Sequence, residues 1–258
     1  MERKMDKFQL KGRRALITGG SRGIGFGIAK AFVDAGADVV LVSRSKEGLE
    51  KARNGLTSSG RDIQTVAFDM IRHDEIDAFF NGIVEETGGI DILVNNAGGT
   101  RRGPAEDISA DDWRFVIDLN LTAVFKMSQA FAKERIRNAK KGKIVNIASL
   151  MSELVRTGNA PYAASKGGVR QLTKALAIDW AKHNINVNAI GPGYIKTDLT
   201  RALWEDKDFD KWVVGRTPME RWGQPEDLGN TAVFLAAPAS DFITGQIVYV
   251  DGGFVSCF

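Results

Sequence analysis

Short runs rich in Val and Ile alternate along the chain with stretches of helical spacing, and this alternation restricts the possible folds more than any other feature of the sequence. The runs occupy 14–18, 38–43, 63–68, 90–95, 143–149, 186–190 and 246–250. Between the first two, Ile24, Ile28, Ala31 and Phe32 fall on one helical face; between the next two, Leu49, Ala52 and Leu56 do the same. Strands alternating with helices build βαβ units, in which the strands are parallel and the helices cover both faces. Seven such strands predict a doubly wound α/β sheet of the Rossmann type, with its ligand crevice beyond the carboxyl ends of the strands. No repeat, low-complexity tract or Pro-rich linker interrupts the 258 residues, so one domain over 1–258 is expected. The long break at 191–224 exceeds a routine connection and is expected to hold a substrate lid at about 194–222. Its aromatics Tyr194, Trp204, Trp212 and Trp222 read as packing residues.

Composition removes several classes of function. The 35 basic and 32 acidic residues are interspersed, giving a net charge of +3, which argues against a dedicated nucleic-acid surface. The densest basic run, 133–143, reads as a solvated helix end. The single cysteine, Cys257, allows neither an intrachain disulfide nor a cysteine-based metal site, and a reducing, cytoplasmic setting is the default. No apolar run approaches the ~20 residues that span a bilayer, and the leading segment lacks a signal-peptide core, so a soluble, unprocessed protein is expected. His73 and His183 belong to no metal-ligand pattern, and no bound metal is expected.

The first strand runs directly into Thr18-Gly19-Gly20-Ser21-Arg22-Gly23-Ile24-Gly25 and then into a helix. Glycines placed there let the backbone approach a pyrophosphate at the positive end of the helix, so a dinucleotide is the expected cofactor. An NAD site usually carries Asp or Glu at the end of the second strand, where the adenosine ribose lies. Here that position reads Ser43-Arg44, and Asp38 lies at the other end of the strand, ~16 Å away at the usual rise. Arg44 and Arg22 offer two guanidinium forks for a 2′-phosphate, with no carboxylate to repel it. NADP(H) is therefore preferred, with NAD(H) still possible.

Tyr162 and Lys166 stand four residues apart, on one face of the helix after Pro161, and Ser149 ends the fifth strand. Hydride transfer to a carbonyl needs a proton donor for the developing alkoxide, and the reverse reaction needs a base. Lowering a phenol by three pKa units takes ~4 kcal/mol. An ammonium ~4 Å away supplies about that much in a sheltered cleft and ~1 kcal/mol in bulk water. Lys166 is thus expected to lower the Tyr162 pKa, while Ser149 holds the substrate oxygen beside it.

The set TGGSRGIG at 18–25, DILVNNAG at 91–98, the step from Ser149 to Tyr162, YAASK at 162–166 and PGYIKT at 192–197 resembles the short-chain dehydrogenase/reductase family over 11–253. The resemblance implies a catalytic tetrad of Asn120, Ser149, Tyr162 and Lys166, with Asn120 breaking its helix to seat a water that relays protons to Lys166. It implies a cofactor lined by Gly19, Ser21, Arg22, Gly23, Ile24, Gly25, Ser43, Arg44, Asp69, Met70, Asn96, Ala97, Gly98, Pro192, Gly193, Ile195 and Thr197, with Tyr162 and Lys166 reaching it as well. Within the family, SLMSEL at 149–154, GPGYIKT at 191–197 and RTPMERWG at 216–223 are most similar to gluconate 5-dehydrogenases and related sugar-acid dehydrogenases. On that reading Arg102 pairs with a substrate carboxylate, and Glu153 binds sugar hydroxyls alongside Ser149 and Tyr162. A 3-oxoacyl carrier-protein reductase shares the same tetrad but needs a basic docking surface, for which Arg101 and Arg102 are the candidates. A cofactor-binding regulator without turnover has no chemical need for Ser149, Tyr162 and Lys166 together. The helices around 113–137 and 160–182 are longer than sheet cover requires, and the resemblance implies that they pack against partner subunits in a homotetramer.

Overall fold

The computed structural model describes residues 7–56 and 60–257. The leading segment examined for targeting lies partly outside them. Strands β1 (Arg14–Thr18), β2 (Asp38–Ser43), β3 (Ile63–Ala67), β4 (Ile92–Asn95), β5 (Gly142–Ile147), β6 (Ile185–Pro192) and β7 (Ile247–Val250) form one parallel sheet in the order β3-β2-β1-β4-β5-β6-β7. Strand order reverses between β1 and β4, and the crevice of such a sheet opens at that point, beyond the carboxyl ends.

Period-two alternation divides the apolar side chains between the two faces. Ala15, Ile17, Val39 and Leu41 join a core with α1 (Gly23–Asp34), α2 (Lys46–Asn54) and α9 (Pro225–Ala236). Leu16, Val40, Val42 and Leu93 point the other way, into a core with α3 (Ile76–Thr87), α5 (Ala123–Arg137) and α6 (Ala160–Trp180). Ser45 caps α2 by accepting from the Gly48 N–H at 3.0 Å, and Ser109 caps α4 (Ala110–Ile117) by accepting from the Asp112 N–H at 3.0 Å. Pro161 stands in the first turn of α6, where its missing N–H costs nothing.

Three local expectations need correction. β5 stops at Ile147, so Ser149 does not end a strand; it opens a 3-10 turn over Leu150–Ser152 and accepts from the Met151 N–H at 3.1 Å. β6 runs on through Pro192, because pairing with β7 extends to Val250. The long connection that follows contains two helices, α7 (Arg201–Trp204) and α8 (Lys207–Arg216). The basic run at 133–143 is not uniformly solvated: Arg135 is fully buried against Glu134 (2.5 Å) and Asp91 (3.0 Å), and buried Lys143 pairs with Asp241 at 2.8 Å. Carboxylate partners are what make those burials tolerable.

Candidate active site

The turn after β1 holds the first group of predicted residues at the carboxyl edge of the sheet. Gly19 has φ +66°, and a Cβ there would lie 2.7 Å from the Asn96 amide nitrogen; at Gly25 it would collide with the Gly19 carbonyl. The turn therefore has room for a ligand's phosphates only because side chains are missing. Arg22, the cap of α1, is extended and places no side-chain acceptor on the first N–H groups of the helix, which leaves the positive helix end for an anion. Asn96 fixes the floor: its side-chain amide donates to the Thr18 and Gly19 carbonyls at 2.9 and 3.1 Å, while the Asn96 and Ala97 N–H groups donate to the Thr18 hydroxyl at 3.0 Å. These features fit a dinucleotide pyrophosphate.

Ser43 ends β2 and Arg44 follows it, with Asp69 and Met70 just past β3. Carboxylates are present here, contrary to expectation. Arg44 lies 3.9 Å from Asp69, and Arg22 lies 3.4 Å from Asp198. Both guanidinium groups remain largely exposed, at 67% and 76%, so each pair is solvent-screened and available to a stronger anion. Pro192, Gly193, Ile195 and Thr197 follow β6 along the same edge. Gly23, with φ +55°, places the α1 turn against the Thr197 methyl.

Asn120 lies within a π-helical turn, Asp118–Thr122, between α4 and α5, so the regular helical bonding does break there. Its side chain is fully buried; it donates to the Gly99 carbonyl (2.9 Å) and the Ser165 hydroxyl (3.0 Å) and accepts from the Gly99 N–H (2.8 Å). Ser165 in turn donates to the Tyr162 carbonyl at 2.7 Å. This ties α6 to the loop after β4. A second buried chain was not visible in the sequence. Asn95 donates to Ser128 and to Asn146, both at 2.9 Å, and Asn146 donates to Thr173 at 3.0 Å. It pins α5 and α6 to β4 and β5, and with them the position of the Tyr162 helix.

Lys166 is only 4% exposed, donates to the Ile147 carbonyl at 2.6 Å and lies 5.7 Å from the centre of the Tyr162 ring. Burial lowers its pKa to about 8. Tyr162 moves opposite to the sequence expectation. Burial pushes its phenol up, against the hydrogen bond with Ser149 and the positive charge of Arg102, which pull down. At neutral pH the group is thus a phenol, able to donate a proton to a carbonyl oxygen.

Arg102 follows the β4 loop, and its charge reaches Tyr162 and Tyr194; burial and the charge of Arg156 lower its pKa. Glu153 forms an ion pair with Arg170 of α6 at 2.7 Å, and its negative charge, after burial, helps push Tyr249 up to about 12. Its carboxylate is thus partly engaged, with lone pairs left to accept from hydroxyls.

Of the aromatics after β6, Trp212 and Trp222 pack as expected around Tyr194, whose ring centre lies 5.9 and 5.5 Å from theirs, 5.7 Å from Phe209 and 5.3 Å from Phe254, whereas Trp204 stands outside this cluster, with Lys196 5.6 Å from its ring centre. Phe209 and Phe254 were not singled out in the sequence, and neither was Arg156, whose guanidinium stands 4.9 Å above Phe209. The base of this connection is closed by main-chain bonds of 2.9 Å from Gly223 N to Tyr194 O and from Lys196 N to Gly223 O.

Comparison with known proteins gives a consistent set. A family model described as enoyl-(acyl carrier protein) reductase matches residues 19–255. The chain is similar to a gluconate 5-dehydrogenase of Gluconobacter oxydans (strain 621H), 46% identical over 248 residues and 96% of each chain. It is similar to a 5-keto-D-gluconate 5-reductase of Escherichia coli (strain K12), 44% identical over 96% of this chain and 97% of that protein. Among solved structures, a gluconate 5-dehydrogenase from Burkholderia cenocepacia J2315 in complex with NADP and tartrate superimposes with a TM-score of 0.94, at 44% identity over 98% of this chain and 99% of that one.

Proposed function

Because this chain belongs to the short-chain dehydrogenase/reductase family, oxidoreductases acting on CH–OH groups, we propose that it is an NADP(H)-dependent dehydrogenase/reductase of a sugar acid such as D-gluconate and its 5-keto form. The observation that carries this reading is a proton-donating phenol, Tyr162, that interacts with the Ser149 hydroxyl and lies within reach of the uncompensated cation Arg102. Two sugar-acid oxidoreductases at 44–46% identity over nearly the whole chain support it, as does a relative in complex with NADP and a hydroxy acid, tartrate.

NADP(H) supplies or accepts the hydride when bound. Gly19, Ser21, Gly23, Ile24 and Gly25 would hold its pyrophosphate, Arg22, Ser43 and Arg44 its 2′-phosphate, Asp69 and Met70 would flank its adenine, and Asn96, Ala97 and Gly98 would line it. Ile195 and Thr197 would hold its nicotinamide amide or pyrophosphate, with Pro192, Gly193, Tyr162 and Lys166 lining it as well. Ser149 orients the substrate oxygen, and Tyr162 gives it a proton in reduction or removes one in oxidation. Lys166 keeps positive charge near that phenol, and Asn120 fixes the helix that carries both. Arg102 and Glu153 bind the substrate's carboxylate and hydroxyls. Residues 194–222 form the lid of one catalytic domain.

The acyl-reductase reading finds less support. Arg101, half of its candidate docking surface, pairs with Asp112 at 3.1 Å and lies 4.1 Å over the Phe115 ring. The assembly proposed is a cytoplasmic homotetramer, for which the exposed apolar side chains of Trp113 on α4 and Ile178 on α6, at 44% and 79%, offer contact surface. No helix among the described residues is long and apolar enough to cross a membrane. Initial rates with D-gluconate, 2-deoxygluconate, neutral polyols and a 3-hydroxyacyl thioester, each with NADP and NAD, test the reading. Selective oxidation of gluconate with NADP is expected; turnover of the thioester alone would overturn it.

A further inference from the structure

Among the described residues, two cations face the same small region without an acidic partner. Arg102 follows β4 and Arg156 follows the 3-10 turn after β5, and the Gly103 N–H donates to the Gly158 carbonyl at 3.2 Å, which lays the two loops side by side. Among the described residues neither guanidinium has a carboxylate within ion-pair distance, although most other arginines here do. Arg156 is held from one face by the Phe209 ring of α8 at 4.9 Å. Phe209 packs edge-on against Tyr194, and Tyr194 and Tyr162 pack against the same buried cluster of Leu150, Met151 and Phe254. The ring contact therefore links Arg156 to the wall that carries the reacting phenol.

A guanidinium stacked on an aromatic face keeps its N–H edge free, and that planar edge matches a carboxylate. Leaving two such groups near each other without an anion costs repulsion, and the positive charge of Arg156 does oppose protonation of Arg102. An acid bound between them removes that repulsion; a neutral polyol does not. We propose that Arg156 is a second specificity-determining cation for the substrate carboxylate, completing with Arg102 a two-arginine clamp whose far arm is positioned by Phe209 of the lid. The inference rests on the sugar-acid reading and assigns the selectivity to a residue that touches neither the tetrad nor the cofactor turn.

The test compares D-gluconate with gluconamide, the same carbon chain without the charge, in the wild-type holoenzyme, Arg156→Gln, Arg156→Lys and Phe209→Leu. In the wild type a large preference for the acid is expected, and a wild type indifferent to the charge would remove the sugar-acid reading and the clamp together. With that preference established, Arg156→Gln is expected to cut the acid-over-amide ratio of kcat/KM on the order of 10-fold, through KM rather than kcat, the scale of one charge-assisted contact. Arg156→Lys is expected to restore part of the loss. An unchanged ratio in Arg156→Gln, or equal losses on acid and amide, would overturn the clamp while leaving the sugar-acid reading intact. Melting curves and NADPH binding report whether the variant folds. Should Arg156→Gln fail to fold, Phe209→Leu decides: it keeps the charge, removes the platform, and is expected to raise KM for gluconate roughly 3-fold with the amide unaffected, and no change would overturn the proposal.

Discussion

Two protons decide the behaviour of single residues here. With burial raising the Tyr162 phenol, the base needed for alcohol oxidation is the scarce form at neutral pH, while the acid needed for carbonyl reduction is abundant. The kcat/KM for oxidation is therefore expected to rise with pH between 7 and 10, while that for reduction stays nearly level up to about pH 9 and falls only as pH passes 10, as read from paired pH–rate profiles. Tyr162→Phe should lower both on the order of 10²–10⁴-fold while NADPH fluorescence still reports binding. Lys166 supplies a stability counterpart. Its folded pKa of about 8 lies below the ordinary lysine value of 10.5, so between those limits the unfolded chain binds more protons and stability rises with pH. Wild type should gain on Lys166→Met by up to about 1.4 kcal/mol per pH unit between pH 8 and 10, and by nothing below about pH 7, in urea unfolding. The positions of Tyr162 and Lys166 were legible from a four-residue spacing. The direction of the Tyr162 shift was not, because desolvation depends on what the fold places around the ring.

At the scale of elements, the Asn95–Asn146–Thr173 chain does for α6 what spacing within the helix cannot. Spacing puts Tyr162 and Lys166 on one face; the buried amides fix where that face lies relative to β4 and β5. Asn146→Leu leaves the Asn95 and Thr173 groups without their partner inside the core, at an expected cost of about 1–3 kcal/mol in urea unfolding. The end of β2 gives a second prediction. Arg44→Ala removes one guanidinium from the proposed 2′-phosphate site, so the NADP-over-NAD ratio of kcat/KM should fall by about 10-fold or more. An unchanged ratio would take Arg44 out of that site. The glycines were readable because a tight turn between strand and helix demands them, and Arg44 because it stands past β2 where an NAD site usually carries an acid. The pairing of Asp69 with Arg44 and of Asp198 with Arg22 escaped notice because carboxylates far apart in sequence meet the arginines only when separate strand ends converge.

Across the whole molecule, the two cores follow from a pattern of period two within strands and about 3.6 between them, while the strand order places the proposed site residues along the carboxyl edge. Charge substitution at Ile178 together with Trp113 is expected to dissociate the proposed tetramer, with sedimentation velocity changing from four times the single-chain mass to a smaller species. The sequence by itself determined the fold class and pointed to the proposed dinucleotide turn and to Tyr162 and Lys166, because these are written as local spacing within strands, one turn or one helix; Ser149, in a separate turn past β5, was reached through the family motifs. Only the tertiary structure decided that Arg156 stands on Phe209 beside Arg102, that buried Arg135 needs Asp91 and Glu134, and that Tyr162 is held as a phenol. Each of these depends on burial and on partners brought together by the packing of remote loops, and the energy of a charge is set by what surrounds it rather than by its neighbours along the chain.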